Sequence, residues 1–281
     1  QIIAGITATV DLLNQFLDIA IVKYQTGSIP YSEIIRIKTE LAKTKNELIE
    51  TRNGQLIQEQ EFNILLGQPA NQPVVLITDV PLLRANLLQI DVSTDTFIAE
   101  LLNRNITIKI TQLAFAQSQS QKSLAQKGLY PDYGIGIYHQ RSGLANGWTA
   151  NIKMTIPLYF GWKQTGEIKE TTAETEIRQI ELVTVKNKIT GAITKTYNTI
   201  KALKEQVQNY EQIILPESAD GIKTGINNYQ TGQSETFGLL DLYRTYKSAQ
   251  IEYYKILYSY LSAGADLEIA GETSIIALDD H

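Results

Sequence analysis

Few residues in this chain belong to the types that carry out chemistry. The 281 residues include two histidines and no cysteine. The sequence shows no nucleophile paired with a general base, no glycine-rich phosphate loop, and no histidine or acid cluster with the spacing of a metal site. A lone histidine such as His139 is more often a surface residue than a ligand. The sequence therefore predicts a protein that is not an enzyme and has no cofactor and no metal site.

Two acidic residues, Glu33 and Asp241, are the best functional candidates because each follows one copy of a repeated motif. Residues 24–27 (YQTG) recur as residues 229–232, at an offset of 205. The glycine of each motif could simply end a helix. An acidic residue in the first turn of the helix that follows is favoured by the helix dipole. Alternatively, these short turns on a rigid helical scaffold carry recognition of a partner.

The repeat continues beyond the motif as a seam with 3-4-3-4 spacing, which is typical of a coiled coil. At the same offset, Ile34, Ile37, Leu41, Thr44 and Leu48 align with Leu239, Leu242, Tyr246, Ala249 and Tyr253. A similar ladder runs from Ile3 to Tyr24. The pattern predicts two long helical hairpins in a duplicated architecture.

Prolines and glycines divide the rest of the chain. Gly67 should end the second helix, and Ser93 or Thr94 should cap a third helix that runs to about residue 126. A long helix is predicted from about residue 163 to residue 215, where Pro216 breaks or kinks it. The predicted domains are the second half of repeat one (1–67), a connector (68–92), repeat two (93–270) and a flexible tail (271–281).

A different period appears in the middle of repeat two. Residues 148–160 alternate between apolar and polar side chains, which predicts a strand with one apolar face. Residues 133–141 form a weaker partner strand, and residues 143–147 supply the turn, so that the hairpin occupies 132–160. The predicted lipid-facing residues are Ile152, Met154, Ile156 and Leu158, and the predicted lumen-facing residues are Asn151, Lys153 and Thr155.

The hairpin needs a partner for its apolar face, because an isolated two-stranded hairpin is marginal in water. It could pack on helices in a soluble protein. Alternatively, it enters a bilayer by closing a barrel with other strands, and aromatic residues near its ends favour this second hypothesis. No apolar run is expected to reach the roughly 20 residues of a membrane helix. The net charge of −5 does not favour binding to nucleic acid, which requires a positively charged surface.

Several stretches resemble motifs of the TolC-type outer-membrane efflux family, over nearly the whole chain. Residues 128–133 (GLYPDY) are similar to the motif with which the family's chain enters the barrel. Residues 156–162 (IPLYFGW) are similar to the motif with which it leaves the barrel. Residues 24–36 (YQTGSIPYSEIIR) resemble the first helical turn, most closely in the heavy-metal-efflux branch, and residues 232–242 resemble the second. Residues 103–106 (NRNI) depart from the usual Arg-Pro-Asp, and Trp162 replaces the second exit glycine.

The resemblance implies a mainly helical chain with a membrane β-hairpin, in a homotrimer with a periplasmic helical tunnel and a twelve-stranded barrel in the outer membrane. It also implies a passive conduit for metal ions or drugs that docks, at the tunnel tip, onto a periplasmic adaptor bound to an inner-membrane pump of the resistance-nodulation-division type. The expected docking residues are Gly27, Ser28, Ile29, Pro30, Tyr31, Glu33, Gly232, Gln233, Ser234, Glu235 and Asp241.

Two further expectations follow from the offset. Residue 1 aligns with residue 206, so repeat one would lack the counterpart of residues from about 90 to 205, and the N-terminus, which has no signal peptide, would be a fragment or a processed end. With two of four strands missing, this fragment alone should not form a stable trimer. The competing function is a structural or secreted coiled-coil protein or a filament protein, without transport activity.

Overall fold

The computed structural model of the chain describes residues 2–74, 94–142, 145–155 and 162–272. Most of these residues are helical, and the strands form one antiparallel pair. The elements, in chain order, are α1 (Ile2–Gln25), α2 (Tyr31–Leu65), α3 (Thr94–Arg104), α4 (Ile106–Lys127), β1 (Asp132–Ser142), β2 (Ala145–Thr155), α5 (Lys163–Asn209), a π-helical turn (Tyr210–Ile214), α6 (Leu215–Thr231) and α7 (Thr236–Gly271).

The described residues form two compact units. The first unit contains α1, α2, the end of α5, the π-helical turn, α6 and α7 as far as Leu267. The second unit contains α3, α4, both strands, α5 as far as Lys195, and the chain from Glu268. The predicted repeat boundary does not coincide with this division, because α6 and α7 pack with α1 and α2.

The core of the first unit joins the two helical hairpins. Its buried residues come from all four helices: Val10, Leu13, Phe16, Ala20, Ile34, Ile37, Leu41, Ile222, Tyr229, Leu239, Leu240 and Tyr243. Most of the α1 ladder and of the first seam is buried, because side chains spaced 3-4-3-4 share one helix face, but Tyr24 at the end of the ladder is exposed. Burial of each large apolar side chain stabilises the fold by about 1.5–3 kcal/mol.

The second seam differs from its prediction. Leu242 is 36% exposed, whereas its neighbours Leu240 and Tyr243 are buried. Leu242 packs instead on α6, where a Cβ added to Gly225 would lie 2.6 Å from its Cδ1 atom. One face of α7 therefore contacts α6, and another face contacts the common core. The single seam predicted for this helix describes only one of these two faces.

Helix α1 corrects one expectation about membrane helices. By length and composition alone it is apolar enough to cross a bilayer. Its buried residues, such as Leu13 and Phe16, belong to the common core described above. The apolar composition of α1 is thus explained by packing on the other hairpin.

One helix prediction was wrong in detail, and the break or kink predicted at Pro216 takes the form of a π-helical turn. The third helix is interrupted at Asn105, whose side chain accepts a hydrogen bond from the backbone N–H of Ile108 at 2.9 Å and so starts a new helix, α4. At Pro216 the helical segment is interrupted but does not end. A π-helical turn precedes this proline, with the Leu215 N–H bonded to the Tyr210 carbonyl, and helix α6 continues. The wider π turn accommodates a residue that has no N–H to donate.

The N-terminus of α4 is capped from the far end of the sequence. The carboxylate of Glu272 accepts hydrogen bonds from the backbone N–H groups of Ile106 (2.6 Å) and Thr107 (3.0 Å) and from the Thr107 hydroxyl. The first N–H groups of a helix have no partner within the helix, so a carboxylate here is stabilising. Glu272 is therefore held in place, although it was assigned to the predicted flexible tail.

Gly67 follows α2 with φ of +68°, as expected for a helix stop. Residues 75–92 of the predicted connector and residues 273–281 of the predicted tail lie outside the described part of the chain.

Candidate functional site

The first helical turn ends α1 with a left-handed glycine. Gly27 has φ of +75°, its N–H bonds to the Tyr24 carbonyl at 2.9 Å, and the Ser28 N–H bonds to the Lys23 carbonyl at 2.8 Å. This pair of bonds is a Schellman motif, which satisfies carbonyl groups at the helix end. Pro30, in extended conformation, then precedes α2.

The second turn has the same geometry at the offset of 205. Gly232 has φ of +79°, its N–H bonds to the Tyr229 carbonyl at 3.2 Å, and the Gln233 N–H bonds to the Asn228 carbonyl at 2.8 Å. Glycine adopts this backbone conformation without the steric cost that a Cβ imposes. The sequence repeat is therefore a structural repeat of two turns.

The two turns lie side by side and border one groove of about 720 Å³. Residues of both copies of the motif contribute to it. Seven of the predicted docking residues line the groove: Ser28, Ile29, Pro30, Glu33, Gly232, Ser234 and Glu235. Gly27, Tyr31, Gln233 and Asp241 do not line it, and Asp241 is exposed on α7. Sequence analysis missed the remaining lining residues: Lys23, Thr26, Tyr229, Gln230, Thr231 and Thr236.

The charged groups of the groove are two carboxylates and one ammonium. Glu33 and Glu235 supply the carboxylates, and Lys23 supplies the ammonium. The Lys23 Nζ atom lies 4.6 Å from the centre of the Tyr229 ring, a cation–π distance. By count of charges, the groove has a net charge of −1.

The two equivalent tyrosines occupy different environments. Tyr229 is fully buried, meets the Phe16 ring edge-on at 4.8 Å, and its oxygen accepts a hydrogen bond from the Thr236 hydroxyl at 3.2 Å. Burial raises the pKa of the Tyr229 phenol. Tyr24 is 44% exposed, and its ring lies 5.5 Å from the ring of Tyr31, the counterpart of Thr236, at a tilt of 53°. The tyrosine of the second copy thus lines the groove and is buried, whereas the tyrosine of the first copy belongs to an aromatic pair that is exposed to solvent.

Two ion pairs connect α2 with α7. Arg244 donates to the Glu40 carboxylate at 3.2 and 2.7 Å, and Lys247 donates to Glu47 at 2.7 Å. The hydrogen bond from Arg244 holds the pKa of the largely buried Glu40 below its usual value, against the effect of burial. Between these pairs the Thr44 and Tyr243 hydroxyls lie 3.2 Å apart, and burial raises the pKa of Tyr243 to about 12. These contacts fix the first hairpin against the second.

The strand pair has an apolar face and a polar face. The register pairs Ile135 with Ile152 and Tyr133 with Met154, so the apolar residues of both strands lie on the same face. The other face pairs Gly136 with Asn151, and it also carries Lys153 and Thr155. The strand β2 begins at Ala145, so residues 145–147 belong to the strand rather than to the predicted turn.

The apolar face is uncovered within the described chain. Ile135 is 80% exposed and Ile152 is 83% exposed, and Trp148 and Met154 are also exposed. An exposed apolar surface of this kind marks a face that contacts lipid or another protein. Ile156 and Leu158, which were also predicted to face lipid, lie outside the described residues.

The polar face is shaped by one aromatic ring. A Cβ added to Gly136 would lie 2.8 Å from the Tyr138 ring, so the ring covers this glycine. Only glycine leaves room for the tyrosine to lie flat on the strand. Tyr138, Asn151 and Lys153 therefore define the surface that this face presents.

The family model described as "Outer membrane efflux protein" matches residues 97–270, which include the strand pair and the second turn. This is more than half of the chain. The chain belongs to the outer membrane efflux protein family. The resemblance seen in the motifs is confirmed, and so is the location in the outer membrane with the helical part in the periplasm.

Solved channels of this family share the fold. The outer-membrane protein VceC from Vibrio cholerae aligns with a TM-score of 0.68 at 15% identity, over 98% of this chain and 66% of its own. The outer-membrane channel OprN aligns with a TM-score of 0.70 at 13% identity, over 98% and 63%. CusC, whose structures concern folding and transmembrane channel formation, aligns with a TM-score of 0.73 at 14% identity, over 97% and 64%. The chain thus spans just under two thirds of the length of these proteins. No curated protein matches it.

The comparisons bear on the competing functions. A family of outer-membrane efflux proteins favours a channel over a structural coiled-coil protein and over an enzyme. In the described part of the chain, histidines and acids do not gather into a group that could hold a metal ion. The features that remain for function are the groove and the two-faced strand pair.

Proposed function

We propose that this chain is part of a homotrimeric, passive outer-membrane channel, the outer component of a tripartite efflux system. Each complete subunit would supply four strands to a twelve-stranded barrel, and β1 and β2 would be two of them. The long helices would form the periplasmic tunnel. The observation that carries this proposal is the side-by-side placement of two equivalent helical turns around one groove, on a family member of the outer membrane.

The strand pair supports the membrane part of the proposal. The face from Tyr133 to His139 covers six residue steps, or about 20 Å along the strand. Because barrel strands are tilted, this length covers part of the roughly 25 Å apolar band of outer-membrane barrels. Aromatic residues border the band at both ends, with Tyr133 at one end and Trp148 at the other. Ile152 and Met154 would face lipid, and Asn151, Lys153 and Thr155 would face the water-filled lumen.

The groove supports the docking part. Helix ends offer few side chains to a partner, and a periplasmic adaptor with a helical hairpin could insert its own turn between the two turns of the channel. The inner-membrane pump, bound to the adaptor, would supply the energy, because the channel has no chemistry of its own. The cargo would be metal ions or drugs, and the metal preference rests on the similarity of residues 24–36 to the heavy-metal-efflux branch.

Two pairs of variants of the full-length protein test the docking role. Gly232→Trp adds bulk at the groove, whereas Gly232→Asn keeps a residue that tolerates the left-handed backbone. Asp241→Lys reverses a charge on α7, beside the second turn. Asp220→Lys makes the same charge reversal at an exposed position of α6.

We expect Gly232→Trp and Asp241→Lys to abolish export while they leave membrane insertion intact, and the two control variants to export normally. The measurements are the drug and metal susceptibility of cells, the amount of channel in outer-membrane fractions, and crosslinking to the adaptor. Full resistance with normal crosslinking in both test variants would remove the turns from the mechanism.

A further inference from the structure

The loop end of the apolar strand face carries a cation. In β1, Tyr133, Ile135, Ile137, His139 and Arg141 alternate onto one face, and their partners in β2 are Met154, Ile152, Ala150, Trp148 and Asn146. Arg141 therefore follows the apolar band on the same face, four residues or about 13 Å beyond Ile137. Its side chain is exposed.

We propose that Arg141, with the His139–Trp148 pair beneath it, binds the phosphate group of a lipid in the outer leaflet. This inference rests on the proposed function, because it requires the apolar face to contact lipid. The helices that flank the hairpin would lie in the periplasm, so the opposite end of the strands, at Ser142 and Ala145, would reach the outer surface of the membrane. Arg141 then lies at the depth of the outer headgroups.

The rings beneath Arg141 fit an interfacial position. The His139 and Trp148 rings lie 4.7 Å apart at 55°, and Trp148 is exposed on the apolar face. Aromatic rings with a polar edge concentrate at the boundary between hydrocarbon and headgroups. The pair therefore marks where the apolar band ends and where the phosphate layer begins.

The charges of the hairpin are distributed in a way that suits an anionic lipid. Among the described strand residues, the cations are Arg141 and Lys153, and the one carboxylate is that of Asp132. Lys153 and Asp132 lie on the polar face at the opposite end of the strands. No carboxylate of the described hairpin thus shares a face with Arg141, and the planar guanidinium can offer two N–H groups to a phosphate.

The polar face provides a matched control. Lys153 carries the same charge as Arg141, but it lies on the face that would line the lumen. A general attraction of cations for anionic membranes would involve both residues. Specific binding on the lipid face would involve Arg141 alone.

Quenching of Trp148 fluorescence by brominated lipids tests the proposal. The full-length channel is reconstituted in vesicles that contain brominated phosphatidic acid or brominated phosphatidylcholine. Trp162 and any tryptophan outside these 281 residues are replaced by Phe, so that Trp148 alone reports on its neighbourhood. We expect Trp148 to prefer phosphatidic acid about fivefold, the effect of one arginine at an anionic surface. Arg141→Gln should remove this preference without changing quenching by phosphatidylcholine, Arg141→Lys should retain part of it, and Lys153→Gln should retain all of it.

The outcomes separate this inference from the proposed function. If neither brominated lipid quenches Trp148 in the parent protein, the apolar face does not contact lipid and both proposals fail. If both lipids quench Trp148 but the preference is absent, or persists in Arg141→Gln, the phosphate site alone is overturned. If inorganic phosphate in the buffer removes the preference, the site binds soluble phosphate, which overturns the assignment to lipid.

Discussion

The two equivalent tyrosines should respond very differently to truncation. Tyr229→Ala removes a fully buried ring that packs on Phe16 and accepts a hydrogen bond from Thr236. Truncation of a buried aromatic residue costs about 3–5 kcal/mol, and loss of an aromatic pair contributes roughly 0.5–1.5 kcal/mol beyond the burial term. Tyr24→Ala removes a ring that is 44% exposed and contacts Tyr31, so we expect a cost of about 1 kcal/mol.

Amide hydrogen exchange of the helices around the second turn measures this difference directly. Local opening follows the local free energy, and each 1.4 kcal/mol is tenfold in the opening constant. Tyr229→Ala should therefore accelerate exchange roughly a hundredfold or more in α6 and α7, and Tyr24→Ala tenfold or less. Tyr229→Phe, which removes only the hydrogen bond, should cost about 0.5–1.5 kcal/mol. Equal acceleration by the two alanine variants would refute the asymmetry between the copies.

Two electrostatic contacts lead to further predictions. Arg244→Met should cost about 1–2 kcal/mol, because it leaves the Glu40 carboxylate buried without its partner while Arg244 itself is half exposed. The pKa of Glu40 is lowered in the folded state, so the pair contributes fully above the ordinary value of 4.5 and its contribution is lost as the pH falls through the lowered value. Thermal unfolding between pH 7 and 3 should show a smaller acid-induced loss of stability in Arg244→Met than in the parent, and equal losses would contradict this. The pKa of Glu272 is lowered mainly by the Thr107 hydroxyl, and Glu272→Gln should weaken the cap of α4 by up to about 1 kcal/mol. Faster amide exchange at Ile106 and Thr107 would show it, and unchanged exchange would exclude the cap.

Local features of the fold were predictable from the sequence. A glycine that follows an apolar ladder is a common helix stop, so Gly27, Gly67 and Gly232 were identified without knowledge of the surroundings. Alternation at period 2 identified the faces of β2 because the strand geometry itself imposes that period. The pairing with β1, residue by residue, then placed both apolar sets on one face.

Features that depend on distant residues were not predictable. The motif YQTG is the same in both copies, yet Tyr229 is buried and Tyr24 is exposed, because the other hairpin covers only one of them. Glu40 and Arg244 are 204 residues apart, and nothing local marks them as partners. The capping role of Glu272 similarly depends on where the chain end meets α4.

Two details of the helices show how the surroundings modify a local rule. Proline interrupts an ideal α-helix because it has no N–H to donate, but the π turn that precedes Pro216 allows the helix to continue beyond it. Asn105 fits within a helical pattern, but its side chain satisfies a free N–H better at the start of a new helix. In both cases the sequence contained the signal, and the hydrogen bonds of the neighbouring backbone decided the outcome.

The central claim is that the strand pair presents one face to lipid and the other to an aqueous lumen. The given sequence has no cysteine, so single cysteines can be introduced at Ile152 and at its neighbour Asn151 without background from these 281 residues. A water-soluble maleimide applied to outer membranes that contain the full-length channel should label Asn151→Cys and leave Ile152→Cys unlabelled. Equal labelling of both positions would contradict the account.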